Sequence, residues 1–164
     1  MADEKVIGCY ICKGCGIGDR LNTQQMATIA EREAKANFVR EHDFLCSEDG
    51  VKLIQNDIDN ESVNRVSIIA CSRRAKTEAF RFEGVAVSRG NVREGVIWVR
   101  PDTDEARETT QEMAEDYVRM SVNELKHMTP EQATDKVAKN LDLLVVGGGI
   151  SGMTAASEAS KAGY

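Results

Sequence analysis

The sequence predicts an α/β protein built around a parallel β-sheet, and three observations support this fold class. Apolar runs too short for helices alternate with segments whose apolar residues recur at helical spacing. Cysteines accompany three of the apolar runs, at the point where each strand should end. A further apolar run leads into a glycine-rich turn and a helix-forming segment. We therefore predict a three-layer, Rossmann-like or flavodoxin-like domain over 1–130, a linker over 131–140, and the truncated first βα unit of a second Rossmann module over 141–164.

Two strand–helix units are predicted first. Residues 6–11 are apolar and too few for a helix, which predicts a central strand. A capping-box-like start at Asn22 opens the first helix, whose inward face comprises Met26, Ile29, Ala30 and Ala34. The segment 37–45 is more polar and predicts a strand near an edge. A second helix is expected over 47–60, with an inward face of Val51, Ile54 and Ile58.

The rest of the first domain is predicted to add two strands and a long helix. Residues 65–71 are rich in β-branched side chains and form the clearest strand of all. A short helix is expected over 77–82 and a fourth strand over 84–88, whereas 91–99 is ambiguous between strand and loop. After a proline, a long helix should run over about 102–128, with an apolar stripe of Ala106, Thr110, Met113, Tyr117, Met120 and Leu125.

Composition excludes several classes of function. The net charge of −6, with no basic stripe, argues against a nucleic-acid partner. No apolar run approaches the ~20 residues of a membrane span, so direct membrane insertion is not expected. The first residues lack the apolar core of a secretory signal, and five cysteines make an odd number. These features predict a reduced, cytoplasmic protein with metal or redox chemistry rather than a disulfide framework.

The five cysteines carry the strongest chemical signal in the sequence. Three of them are spaced three residues apart around the end of the first strand, and one follows each of the next two strands: Cys9, Cys12, Cys15, Cys46 and Cys71. If the strands are parallel neighbours, their carboxyl ends meet at one edge of the sheet, where open α/β sheets bind ligands. We therefore expect one thiol-rich site at that edge, and we expect it to hold metal.

The residues alone leave four interpretations of this site open. A lone C-x-x-C fits a redox dithiol, half a zinc site or part of an iron–sulfur site. The two remote thiols favour a four-sulfur metal site, and the two histidines, His42 and His127, are not at a zinc-finger spacing. Zinc also accepts four cysteines, although such sites more often use two close C-x₂-C pairs. Remote cysteines can also be small buried apolar residues without any further role.

Strand geometry selects four of the five thiols. Cys9 lies inside the first strand, whereas the other four lie at or beyond strand ends. The predicted metal ligands are therefore Cys12, Cys15, Cys46 and Cys71, with Cys9 as the spare. Arg73 and Arg74 lie two and three residues after the last ligand and are candidates for offsetting the negative charge of a thiolate-bound cluster.

A second motif resembles a dinucleotide-binding fingerprint. Gly147, Gly149 and Gly152 follow a predicted strand over 141–146 and precede a good helix former, which is the context the fingerprint requires. The second strand of such a module, with its acidic ribose-binding residue, is absent from the sequence. We expect the chain by itself not to retain a dinucleotide at stoichiometric level. The unpaired strand is expected to be poorly ordered or to dock elsewhere.

Four stretches together resemble the N-terminal region of the family of heterodisulfide reductase A-type subunits. They are residues 10–18 (YICKGCGIG), 45–51 (LCSEDGV), 69–74 (IACSRR) and 91–94 (NVRE). The double arginine and the glycine-rich cysteine turn are most similar to relatives in quinone-interacting membrane-bound oxidoreductase complexes and in sulfur-oxidising heterodisulfide-reductase-like systems. The resemblance covers essentially the whole chain.

This resemblance implies a specific function. It implies a [4Fe–4S] cluster on the four selected cysteines and FAD at the glycine fingerprint, with electrons passing between them in a multi-subunit complex. The full-length subunit would be an oxidoreductase, whereas these 164 residues alone are not expected to be catalytic. The implied partners are the other subunits of a heterodisulfide reductase-like or quinone-interacting complex, and a homodimer is possible. The alternative is a structural Cys₄ zinc module that docks partner subunits without redox chemistry.

Overall fold

The computed structural model describes residues 4–61, 63–130 and 142–164. The chain divides into two compact units, Met1–Gln132 and Ala133–Tyr164. The proposed linker, 131–140, lies outside the described residues, as does the first residue of the proposed second module.

In the described part of the first unit, four parallel strands form one sheet in the order β2-β1-β3-β4. The strands are β1 (Ile7–Cys12), β2 (Phe38–His42), β3 (Arg65–Ala70) and β4 (Ala86–Asn91). Every residue of β1 and β3 is buried, whereas β2 is a half-exposed edge strand. The predicted α/β fold with a parallel sheet is confirmed, and the strand order begins as in flavodoxin-like sheets.

Two helices lie between β1 and β2, one lies between β2 and β3, and the longest follows β4. They are α1 (Ile17–Arg20), α2 (Thr23–Arg32), α3 (Glu48–Glu61) and α4 (Asp104–Leu125). The side chain of Asn22 caps α2 as predicted, accepting the backbone N–H of Gln25 at 3.0 Å. A 3₁₀ turn at Glu78–Phe80 replaces the predicted short helix, and a π-helical turn at Arg93–Ile97 occupies the segment that was ambiguous.

Helices cover both faces of the sheet. Cys9 and Ser67 are register partners in β1 and β3, and Ser67 hydrogen-bonds Ser121 of α4. Tyr10 points to the opposite face, because successive strand side chains alternate, and there its hydroxyl donates to Asp57 of α3 at 3.1 Å. Since α2 packs beside α4, the unit has the predicted three layers.

The apolar stripe predicted for α4 is partly wrong. Met120 is 56% exposed, and the buried face instead consists mainly of small and β-branched residues: Thr110, Ala114, Val118, Ser121, Val122 and Leu125, with Glu115 at its border. The reason is a close approach to β4. A Cβ on Gly90 would stand 3.4 Å from the carbonyl oxygen of Tyr117, so the helix lies too near the strand for large side chains between them.

A line of serines joins α4 to the sheet. The hydroxyl of Ser121 lies 2.8 Å from that of Ser67 and 2.9 Å from that of Ser88, and all three residues are buried. We predict that Ser121→Ala destabilises the fold by about 1–3 kcal/mol, because it leaves buried hydroxyls without their partner. Chemical denaturation would measure this. In the double variant with Ser67→Ala the cost should be clearly smaller than the sum of the two single costs, and strict additivity would contradict the network.

In the described part of the second unit, residues 142–149 have no regular structure and α5 spans Ile150–Lys161. The strand predicted there is therefore not formed over 142–146, and Leu144 and Val146 are exposed. A strand needs a neighbour to accept and donate its backbone hydrogen bonds, and within this unit none is described.

Candidate metal centre

The sheet register brings the predicted ligands to one edge. Cys12 is the last residue of β1 and pairs with His42, the last residue of β2. Ile11 pairs with Ile69, so the end of β3 is level with Cys12 and Cys71 follows one residue beyond it. From β1 the chain passes to β2 on one side and then to β3 on the other. This reversal is the topological switch point at which α/β sheets bind ligands.

Cys12 is buried at the end of β1, close to backbone groups of the loop that follows β2. It is 7% exposed, and its sulfur is within hydrogen-bond reach of the backbone N–H groups of Gly14 and Leu45. Its thiol can also donate to the carbonyl oxygen of Asp43 at 3.7 Å. Burial raises the pKa of Cys12, and the two N–H groups act in the opposite direction by stabilising the thiolate. Backbone donors of this kind are typical of metal-bound sulfur.

Cys15 stands at the tip of the turn after β1. It is exposed and has a left-handed backbone, with φ of 56°, and Gly16 follows with φ of 83°. A left-handed cysteine costs conformational energy, and such strain gathers at ligand-binding sites. The turn then enters α1, which begins at Ile17.

Cys46 approaches the same edge from the loop between β2 and α3. Ser47 caps α3 by accepting the N–H of Gly50 at 3.1 Å, so Cys46 directly precedes the cap as predicted. Two glycines let this loop pack tightly. A Cβ on Gly14 would lie 2.5 Å from the Phe44 ring, and a Cβ on Gly50 would lie 2.5 Å from the carbonyl oxygen of Phe44. Besides burial, Cys46 also raises the pKa of Cys12.

Cys71 is held by an arginine that sequence reasoning missed. Arg89, on β4, donates from Nη2 to the Cys71 sulfur at 3.2 Å and to the Cys71 carbonyl oxygen at 3.1 Å. The same nitrogen reaches the carbonyl oxygens of Ser72 at 3.1 Å and Ala75 at 3.2 Å. The guanidinium also stacks on Phe80, with its carbon 4.5 Å from the ring centre. Arg89 thus ties the loop after β3 to the fourth strand.

A second arginine reaches the site from the π-helical turn. Arg93 begins this turn, and its neighbour Glu94 accepts the backbone N–H of Ser72, next to Cys71, at 2.8 Å. Arg93 pairs with Glu94 at 2.7 Å and stacks on Trp98 at 5.0 Å. Its hydrogen bond to Glu94, and next that to Cys15, raise the pKa of Arg93. The motif at 91–94 that carries the family resemblance contains this pair, and that was the available signal.

The remaining predicted residues have other immediate surroundings, although the charge of Arg73 acts on Arg89. Arg73 is exposed and pairs with Glu124 of α4 at 3.3 Å, and Arg74 is exposed. Cys9 is fully buried inside β1, where it hydrogen-bonds Ser67. Burial raises the pKa of Cys9 to about 12, so it stays a neutral thiol at physiological pH.

The donor set fits an iron–sulfur cluster chemically. Four thiols at one edge are the usual ligands of such clusters. Arg89 and Arg93 each have a buried Nε–H that has no acceptor among the described residues. A thiolate or sulfide sulfur could accept hydrogen bonds from those N–H groups. As placed, the described residues contain no group of three or more Cys, His, Asp or Glu that could hold one metal ion. A [4Fe–4S] cluster binds each thiolate at a different iron, so its ligands stand farther apart than those of one ion.

The glycine motif has the local geometry of its fingerprint. Gly147 has φ of 116°, and Gly149 is the N-cap of α5. A Cβ on Gly152 would overlap the carbonyl oxygen of Gly147, so only glycine allows this approach of turn and helix. The first turn of the helix keeps free backbone N–H groups of the kind that bind phosphate.

No helix within the described segments is both long enough and apolar enough to cross a membrane. A scan against protein-family models finds no match.

Known proteins resemble the chain along its whole length. It is 34% identical, over 100% of its length, to an iron-sulfur A-type subunit of the CoB–CoM heterodisulfide reductase of Methanopyrus kandleri, and covers 26% of that protein. It is 31% identical over 99% of its length to the A-type subunit of the H(2):CoB-CoM heterodisulfide,ferredoxin reductase of Methanothermobacter marburgensis, covering 25%. The corresponding subunit of a ferredoxin/F(420)H(2)-dependent CoB-CoM heterodisulfide reductase from Methanosarcina acetivorans is 33% identical over 96% of the chain, which covers 20% of it.

The chain therefore spans about a quarter of the length of the first two of these relatives. The resemblance to heterodisulfide reductase A-type subunits is confirmed by these comparisons. The chain is a homologue of the A-type subunits of heterodisulfide reductases.

Proposed function

We propose that this chain is the electron-transfer part of an iron–sulfur flavoprotein subunit. The observation that carries the proposal is the position of Cys12 and Cys71 at the carboxyl ends of adjacent parallel strands, with Arg89 bonded to the Cys71 sulfur. Cys15 and Cys46 lie in the connections that follow β1 and β2. The naming of one relative as an iron-sulfur subunit supports a cluster at this edge. We propose a [4Fe–4S] cluster, since four thiolates are its usual ligands.

The protein's own part in this function is ligation, burial and orientation. The Gly14 and Leu45 N–H groups would stabilise the Cys12 thiolate, and Arg89 would do so for Cys71. The cluster would supply one-electron chemistry at an edge where Cys15 is exposed. Exposure of this ligand suits exchange of single electrons with a neighbouring redox group.

We further propose that the neighbouring group is FAD, bound in the full-length subunit by the turn of Gly147, Gly149 and Gly152. The support is the left-handed Gly147 and the close approach at Gly152, which a pyrophosphate-binding turn requires. Electron relay among further subunits of a heterodisulfide reductase-like complex follows by analogy with the relatives' names.

The decisive experiment is anaerobic purification of the chain, followed by iron, sulfide and zinc analysis with absorption and paramagnetic resonance spectra. We expect a brown protein with about four irons and four sulfides per chain, which gains a resonance signal on reduction. A colourless protein with one zinc per chain would replace the proposal by the structural Cys₄ alternative. A chain that binds neither after reconstitution would reject both.

A further inference from the structure

The charges at the thiol edge come from residues that are remote from the cysteines in sequence. Arg89 contacts the Cys71 sulfur directly at 3.2 Å, and Arg93 is paired with Glu94, which accepts the backbone N–H of Ser72 next to Cys71. Arg73 and Arg74, two and three residues after Cys71, are exposed, and Arg73 pairs with Glu124. The arginines closest to Cys71 in the sequence are therefore not the arginine that contacts its sulfur.

Both inward arginines are held in place rather than free. Arg89 is fixed by three carbonyl oxygens of the 71–75 loop and by stacking on Phe80. Arg93 is fixed by Glu94 on one side and Trp98 on the other, and its side chain is 20% exposed. A half-buried, immobile charge acts more strongly on a neighbour than a solvated one, because water screens it less.

Glu94 adds a charge of the opposite sign at the same place. Its side chain is 23% exposed, and one carboxylate oxygen accepts the backbone N–H of Ser72, next to Cys71, at 2.8 Å. The other oxygen accepts from Arg93. The site therefore contains two fixed positive groups and one fixed negative group whose contributions can be tested separately.

We propose that Arg89 and Arg93 set the reduction potential of the cluster bound at this edge, with Glu94 opposing them, and that Arg73 and Arg74 do not. This inference rests on the proposed function. The step concerned is the addition of one electron to the cluster, with no bond to the arginines made or broken. The reduced cluster is more negative, so a fixed positive charge stabilises it more than the oxidised form and raises the potential.

The donors on each guanidinium strengthen this effect. Arg89 and Arg93 each keep a buried Nε–H without an acceptor among the residues that are described. Sulfur of a bound cluster becomes a better acceptor when the cluster is reduced, because its negative charge rises. Hydrogen bonds to cluster sulfur are an established means of tuning potential.

The test is a mediated redox titration of the cluster in the anaerobic full chain, read by paramagnetic resonance, with an electrode as the source of electrons. The variants are Arg89→Gln, Arg93→Gln and Glu94→Gln, and the matched controls are Arg73→Gln and Arg74→Gln. Each inward arginine variant should lower the equilibrium constant for reduction at least tenfold, which is about 59 mV for a one-electron couple. Glu94→Gln keeps an acceptor for Ser72 and should shift the potential upward. The controls should change the constant less than threefold.

Iron content measured on the same samples separates tuning from assembly. Wild-type potential in every inward variant that retains iron would overturn the inference, as would loss of the cluster from both arginine variants, because the arginines would then be assembly residues. Equal shifts in the controls would also overturn it. A wild-type chain without any cluster would instead reject the proposed function, so the two failures are distinguishable.

Discussion

Replacing Cys46 by serine should empty the metal site, whereas replacing Cys9 by serine should leave iron and sulfide content unchanged. Cys46 lies beside Cys12 at the carboxyl edge, and serine is a far poorer ligand for iron than a thiolate. Cys9 is fully buried in β1 and faces Ser67, away from that edge. The same loss of iron is expected for Cys12→Ser, Cys15→Ser and Cys71→Ser.

The measurement is iron and sulfide per chain after anaerobic purification, together with chemical denaturation of each variant. Cys9→Ser should cost about 1 kcal/mol or less, because the new hydroxyl can use Ser67 as its partner. The opposite result, with iron lost from Cys9→Ser and kept in Cys46→Ser, would show that the ligands are the local triplet Cys9, Cys12 and Cys15 with one remote partner.

Gly14→Ala should abolish cluster binding although it leaves every cysteine in place. An added Cβ would lie 2.5 Å from the Phe44 ring and would also overlap the carbonyl oxygen of Asp43. The turn after β1 and the loop after β2 would have to separate, which would move Cys12 and Cys15 away from Cys46. Displacing backbone in a packed region also costs stability, on the order of 1–3 kcal/mol.

Gly84→Ala is the matched control for this variant. Gly84 has φ of 72° and nothing within 4 Å of an added Cβ, so its replacement adds backbone strain without a clash. Iron per chain should fall to near zero in Gly14→Ala and remain at the wild-type level in Gly84→Ala. Full iron content in Gly14→Ala would mean that contact between these two loops does not shape the site.

Local patterns in the sequence were sufficient for β1, β2 and β3 and for the helices α2, α3 and α4 of the first unit. The predominantly apolar composition of β1 and of residues 66–70 predicts their burial, and the helix start at Asn22 follows from a capping side chain. The placement of three cysteines at or beyond strand ends, with a fourth before the α3 cap, also follows from these patterns. It needs only the rule that parallel strands bring their carboxyl ends to one edge.

Other features depended on contacts between distant segments. The close approach of α4 to Gly90 of β4 determines which face of the helix is buried. Helical periodicity does not predict this approach, so Met120 was wrongly assigned to the core. The strand expected over 142–146 is not formed. An apolar run predicts a strand only where a neighbouring strand pairs with its backbone groups, and the run itself does not show whether one does.

The sequence by itself determined the fold class and the cysteines that gather at the sheet edge, because each depends on residue type and short-range spacing. Only the tertiary structure decided which charges face those cysteines. Arg73 and Arg74 lie within three residues of Cys71 in the chain but are exposed, and Arg73 pairs with Glu124, whereas Arg89 on β4, 18 residues away, contacts the Cys71 sulfur. Arg89 is positioned by the register of β3 against β4, and Arg93 is positioned by the π-helical turn that it begins. Electrostatic action depends on distance through space, and folding sets that distance independently of separation along the chain.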